Sequence, residues 1–236
     1  MLNDILFALV GFLSNIVQTV SGFAGTALAM PVSIRLVGYE TASPVLNFIP
    51  IPVCLVLVIL HFRKIRWKRL LFLLVFIGTG FGIGFALSGF LPQQEIVLKI
   101  YGGVICVIAL IFLFLPNLKI PKFLHPVLLI LAGVLHFLYT SGGPLVVLYA
   151  SGAIEDRDEF RVTLSCVWLV LNSIRFTRDV VSGAFTPRIW ILTLILTALT
   201  AAAIVIGRLI AKKLNREVFT KVTYALLFLS GLSAVL

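Results

Sequence analysis

The sequence predicts an all-α integral membrane protein built from two inverted repeats, each a broken-helix hairpin followed by three transmembrane helices. Three observations lead there. Of 236 residues, 61% are apolar and 12% charged, where an ordinary soluble domain runs at about a quarter charged. One core of this size cannot bury so much apolar surface, so lipid must solvate the excess. Apolar runs also recur in the same order in both halves, and loop charge puts equivalent loops on opposite sides. At ~20 residues per crossing, the length allows about eight spans and no further soluble domain. A cytosolic enzyme, a secreted disulfide scaffold and a disordered chain are excluded.

The elements follow in order, all as helices, because an open sheet cannot satisfy its backbone in lipid. Residues 4–20 and 24–37 are two short apolar stretches around the polar, Gly-rich QTVSGFAGT. The start, MLND, has no basic residue and its apolar run continues into further membrane sequence, so it reads as a span and not as a cleavable signal. A span at 43–62 follows, starting at Pro44 and kinked by Pro50 and Pro52. The basic loop RKIRWKR leads to spans at 70–91 and 96–115. After PNLKIPK comes a second split element, 123–138 and 144–152, broken at YTSGGP. Spans near 161–181, 188–211 and 217–236 complete the chain. Residues 1–116 thus form the first transmembrane repeat and 117–236 the second.

Individual residues follow the same repeat. A shift of 123 carries Trp67 onto Trp190, Gly84 onto Gly207 and Tyr101 onto Tyr224. A shift of 114 carries Asn47 onto Arg161, and a shift of 117 carries Gly25 onto Gly142. Charge then orients each half. RKIRWKR, with five basic residues, is expected in the cytoplasm. PNLKIPK, two crossings later, is expected there too, and LPQQE between them outside. The counterpart of LPQQE, around Arg208, Lys212, Lys213 and Arg216, is strongly basic and expected inside. Equivalent loops therefore face opposite sides, each half crosses an odd number of times, and each split element enters and leaves on one side as a hairpin. Both termini are expected outside a cell membrane, of the bacterial inner-membrane kind.

The two breaks hold the first candidate site. One comprises Gln18, Thr19, Ser21, Gly22, Gly25 and Thr26; the other comprises His136, Tyr139, Thr140, Ser141, Gly142 and Gly143, with Pro144 suited to open a new helix. Unwound backbone and a helix N-terminus offer amide N–H groups and partial positive charge to an anion. In inverted-repeat transporters, paired interruptions near the bilayer midplane mark the substrate site. The bland alternative is that Gly and Ser simply let helices pack closely.

A second constellation lies in EFRVTLSCVWLVLNSIRFTRDVV. Arg161, Asn172 and Arg175 are separated by 11 and 3 residues and share one narrow helical face. Arg175 either faces an aqueous path or pairs with Asp179 at i,i+4. Asn47 joins the candidates through the repeat. His136 could carry a proton in coupling, or simply hydrogen-bond a carbonyl.

Cys54, Cys106 and Cys166 lie inside apolar runs without metal-ligand spacing and read as packing residues. The formal charge of +10 sits mostly at run ends, as expected of orientation signals and not of nucleic-acid binding. Between the hairpins no Asp or Glu falls mid-span, which disfavours a cation carrier. No Walker sequence, metal cluster or nucleophile–base pair occurs, so neither an enzyme nor a cofactor is expected. The expected partners are a small anion, protons for coupling and the lipid bilayer, with homo-oligomers allowed.

GFAGTALAMP, TSGGPLVVLY, and EFRVTLS followed by the Asn-x-x-Arg of Asn172 and Arg175 resemble the TauE/SafE sulfite exporter family, also called the toluene sulfonate uptake permease family. The resemblance covers nearly the whole chain. It departs from the family's Gly-richest form at Ala24 and Thr26. It implies a secondary carrier of sulfite, sulfonates or related organic acids, with external termini. The alternatives are an anion channel and a structural membrane subunit without cargo.

Overall fold

The computed structural model describes residues 2–21, 24–90, 94–115, 120–150, 157–213 and 216–236. Eleven α-helices lie among them: α1 (Leu2–Ser21), α2 (Gly25–Val37), α3 (Tyr39–Phe48), α4 (Pro50–His61), α5 (Trp67–Ser88), α6 (Gln94–Phe114), α7 (His125–Tyr139), α8 (Gly143–Ala150), α9 (Arg157–Val181), α10 (Pro187–Lys213) and α11 (Arg216–Val235). The described residues include no strand. Closing every backbone bond within its own segment is what lipid demands. Five stretches are long and apolar enough to cross a bilayer: Leu2–Val20, Tyr39–Lys64, Trp67–Ser88, Lys122–Tyr139 and Pro187–Ile210. With 22 residues, α5 is about 33 Å long at 1.5 Å per residue, the thickness of the hydrocarbon layer. Helix α9 is longer still, at 25 residues. It is much more polar, and its polar residues Asn172, Arg175 and Asp179 are buried against protein.

The third element departs from the expectation of a single span beginning at Pro44. Gly38, at φ +79°, ends α2 by donating its N–H to the Ile34 carbonyl at 2.9 Å and at once starts α3. A side chain would be strained at that φ, so glycine permits a one-residue corner. Pro44 therefore lies inside α3. The ladder instead breaks at Ile49, just before Pro50 and Pro52, because neither proline can donate a helical N–H.

Each half reaches across to the other. Helix α5 packs along α7, α1 along α10, α6 along α11, and α3 and α4 against α9. Corresponding residues make these contacts. A Cβ on Gly84 would meet the Phe137 Cβ at 2.9 Å and the Val134 carbonyl oxygen at 3.1 Å; on Gly207 it would meet the Thr19 Cβ at 2.7 Å and the Ile16 carbonyl oxygen at 3.1 Å. Thr19 and Ile16 precede Phe137 and Val134 by the same 118 positions. Within the split elements, Gly25 lies against Gln18 and the Ser14 carbonyl, and Gly142 against His136 and the Ala132 carbonyl. Gln18 and Ser14 precede His136 and Ala132 by 118 positions, and Gly25 precedes Gly142 by 117. Lipid supplies no hydrophobic drive between helices, so close backbone approach through small residues carries the association.

The α5–α7 crossing is the tightest. A Cβ on Gly80 would overlap the Ile130 carbonyl, and one on Gly133 the Ile77 carbonyl. Ion pairs tie the halves at both ends: Arg188 with Asp4, and Arg66 Nε with Glu159 Oε2 at 2.7 Å. We expect Gly133→Val to destabilise the detergent-purified protein by about 3 kcal/mol or more through overpacking against rigid backbone. Gly82→Ala, where a Cβ meets nothing within 4 Å, should be neutral or stabilise by up to about 1 kcal/mol through helix propensity. Unfolding titrations read both. Equal behaviour of the two variants would show that the crossing does not limit stability.

Candidate functional site

Helix α7 stops at Tyr139, and a helix that stops among other helices leaves its last carbonyls without partners. Two of them are answered from other helices. Thr140 takes a left-handed conformation (φ 54°, ψ 28°) and returns its N–H to the His136 carbonyl at 2.8 Å. A β-branched residue rarely sits there, so the surrounding structure holds it in place. The Phe137 carbonyl accepts from Arg175 Nη1, and the Leu138 carbonyl accepts from the Tyr39 hydroxyl at 2.6 Å.

Arg175 is the hub. It is 4% exposed, and its guanidinium reaches four groups on three elements. Besides the Phe137 carbonyl, Nη1 approaches Thr140 Oγ1 at 3.4 Å. Nη2 donates to Tyr39 Oη at 3.2 Å and to Ser43 Oγ. Nε lies 3.7 Å from Asp179 Oδ2, too far for a good hydrogen bond, and the group sits 5.2 Å from the Phe137 ring centre. A cation at a helix C-terminus is favourable, and a planar fork of five donors suits several acceptors at once. The two readings of Arg175 thus coexist: Asp179 is near, and the main bonds go to the broken helix.

One turn earlier on α9, Asn172 Oδ1 accepts from His136 Nε2 at 2.8 Å, and the Asn172 carbonyl accepts from Asn47 Nδ2 at 3.1 Å. Since Oδ1 only accepts, Nε2 carries the proton of this pair. The His136 ring also stacks on Trp168 with centres 4.2 Å apart. The buried polar atoms here without a hydrogen-bond partner include His136 Nδ1, Asn172 Nδ2, Asn47 Oδ1, Ser141 Oγ and Tyr101 Oη. Each costs about 1–3 kcal/mol while it stays unpaired. A cavity of ≈ 360 Å³ reaches this region, lined by Tyr39, Glu40, Ser43, Pro44, Ser88, Phe137, Leu138, Tyr139, Arg175, Arg178, Asp179, Ser182 and Ala184. Its lining includes Ser88, at the end of α5 away from the basic segment 63–69.

The structure therefore brings together His136, Tyr139, Thr140, Ser141, Asn172, Arg175 and Asn47 from the sequence-derived set, with Gly142 and Gly143 in the break. Arg161 lies elsewhere. It is exposed, 14 residues and thus about 21 Å along α9 from Arg175, with its head free to reach the interface. The first break differs in chemistry. Gln18 Oε1 accepts from the Gly25 N–H at 2.6 Å, and Thr19 Oγ1 donates to its own helix at the Asn15 carbonyl, 2.8 Å away. Thr26 is half-buried at the start of α2. Gly22 and the Ser21 side chain lie outside the described residues.

Tyr39, Ser43 and Tyr101 are additions from the structure. Tyr39, Ser43 and Asn47 recur every four residues, a polar stripe on α3 that a span starting at Pro44 cuts short. The sequence marks Tyr101 only through its repeat match with Tyr224, which assigns it no place in the site.

Among known proteins, the model of a family described as Sulfite exporter TauE/SafE matches residues 7–234. No curated protein and no solved structure matches the chain.

Arg175→Met should lower unfolding stability by about 3 kcal/mol or more, because it strands buried acceptors and Asp179 together. Arg175→Lys should recover only part of this, since an ammonium cannot reach Phe137, Tyr39 and Ser43 at once. Denaturant titration of the detergent-solubilised variants measures both. A lysine variant as stable as the parent would show that the guanidinium fork is not required.

Proposed function

The chain belongs to the TauE/SafE sulfite exporter family, and from that premise we propose that it is a secondary carrier of sulfite, sulfonates or related small organic acids, holding the anion at its helix breaks near the membrane centre. The family consists of membrane transporters and not enzymes. One observation carries the finer reading. At the second break the α7 carbonyl end is already capped by Arg175 and Tyr39, while the first-turn amides of α8 lack intrahelical acceptors and Ser141, just before them, has an unpaired hydroxyl. Amide donors at a helix N-terminus attract negative charge. Asn172 and Arg175 shape the electrostatics of the site, and His136 is bonded to Asn172 within it.

Alternating access rests on the two-repeat architecture, 1–116 and 117–236. The corresponding glycine contacts of Gly84 and Gly207 support it, as does the swapped packing of α5 on α7 and α10 on α1. In this reading the halves are inverted, both termini face outward, and the cavity at Arg175 opens to the outside. The break-bearing elements then move against the remaining helices.

Purified protein in liposomes should carry labelled sulfite, sulfonates or carboxylates with saturable kinetics, and Asn172→Ala should cut that flux about tenfold or more. Cation flux without anion flux defeats the proposal, and non-saturating flux far above carrier rates favours a channel. Cysteines added at either terminus should react with a membrane-impermeant thiol reagent in intact cells. Protection of one terminus alone would break the orientation argument.

A further inference from the structure

Tyr101 takes no part in capping α7. It lies in α6, is 1% exposed, and its ring stacks on Tyr139 with centres 4.3 Å apart and planes 17° from parallel. Its hydroxyl lies beside that of Ser141, and neither makes a hydrogen bond of good geometry. Buried hydroxyls are almost always satisfied, so two orphans side by side call for a reason.

Their surroundings supply one. Ser141 stands two residues before Gly143, which opens α8, and the first-turn amides at Gly143 and Leu145 lack intrahelical acceptors. The two hydroxyls thus sit beside the amide end of α8. Tyr139 stands between that spot and the solvent-connected cavity. One neighbour of its ring is Tyr101; the other is Tyr39, edge-on at 6.1 Å, and both Tyr39 and Tyr139 line the cavity. Displacing the Tyr139 ring would join the cavity to the orphan hydroxyls.

We propose that the Tyr101 and Ser141 hydroxyls, with the first-turn amides of α8, form the seat for the oxyanion head of the cargo. A sulfite or sulfonate head, with three oxygens, presents enough acceptors for all of these donors, whereas a cation would meet N–H groups it cannot use. This seat rests on the anion-carrier reading and makes Tyr101 a ligand-binding residue.

The test compares the full-length wild type with Tyr101→Phe and Ser141→Ala in detergent, measuring calorimetric binding of sulfite and methanesulfonate and the ligand-free melting midpoint. Tyr101→Phe keeps the ring stack and removes an orphan. Its ligand-free midpoint should be unchanged or higher, and its anion affinity about tenfold or more lower. Ser141→Ala should weaken binding similarly. Wild-type affinity in both variants overturns the seat and leaves the carrier reading standing. A lower Tyr101→Phe midpoint with unchanged affinity reduces Tyr101 to packing and also overturns it. A wild type that binds neither anion rejects the carrier reading and the seat together.

Discussion

A helix that ends within a membrane protein must do something with its last carbonyls. The end of α7 is the place on which the second half of this molecule depends. Water cannot serve there, and each carbonyl left bare costs free energy. Arg175 and Tyr39 answer two of these carbonyls from two other helices, so the break persists only while α3, α7 and α9 are held together. The same contact fixes a cation at the negative end of the α7 dipole. It also leaves the opposite partial charge, at the start of α8, facing a region where polar groups outnumber partners.

Backbone proximity makes this arrangement possible. Glycines at 80, 84 and 133 bring α5 onto α7, and Gly207 brings α10 onto α1. These are contacts without side-chain interdigitation on one face, which suits surfaces that hold firmly in one register and can adopt another. The two breaks share a frame but differ in chemistry. The first closes on itself through Gln18 and the Gly25 amide. The second is satisfied from outside at its carbonyl end and left open at its amide end. The break that lacks its own partners is the one proposed to receive an anion.

The helical elements were legible in the sequence because hydrophobicity, glycine and proline act locally. Splits at 21–25 and 140–143 follow from runs of Gly and Ser between apolar stretches, and α10 and α11 from simple apolar length. The exception at Pro44 also has a local cause, since Gly38 rather than the proline sets the start of α3. Much of the site was legible too. Asn172 and Arg175 on one face of α9, together with the residues from His136 to Gly143, meet in space. Arg161 shares their face by angle, but angle ignores distance along the axis. Three further turns place it among interface residues.

Amino-acid order alone thus determined a helical membrane protein with two broken elements and an arginine that had to find partners, because each of those facts depends on residues within a few turns of one another. Which partners it found was decided only by tertiary structure. Tyr39 and Ser43 lie 136 and 132 positions from Arg175 in the chain, and Tyr101 reaches Ser141 only because α6 packs beside the break. Hydrogen bonds and orphaned hydroxyls are properties of distance in space, and in lipid that distance is set by which helices can approach closely enough to touch.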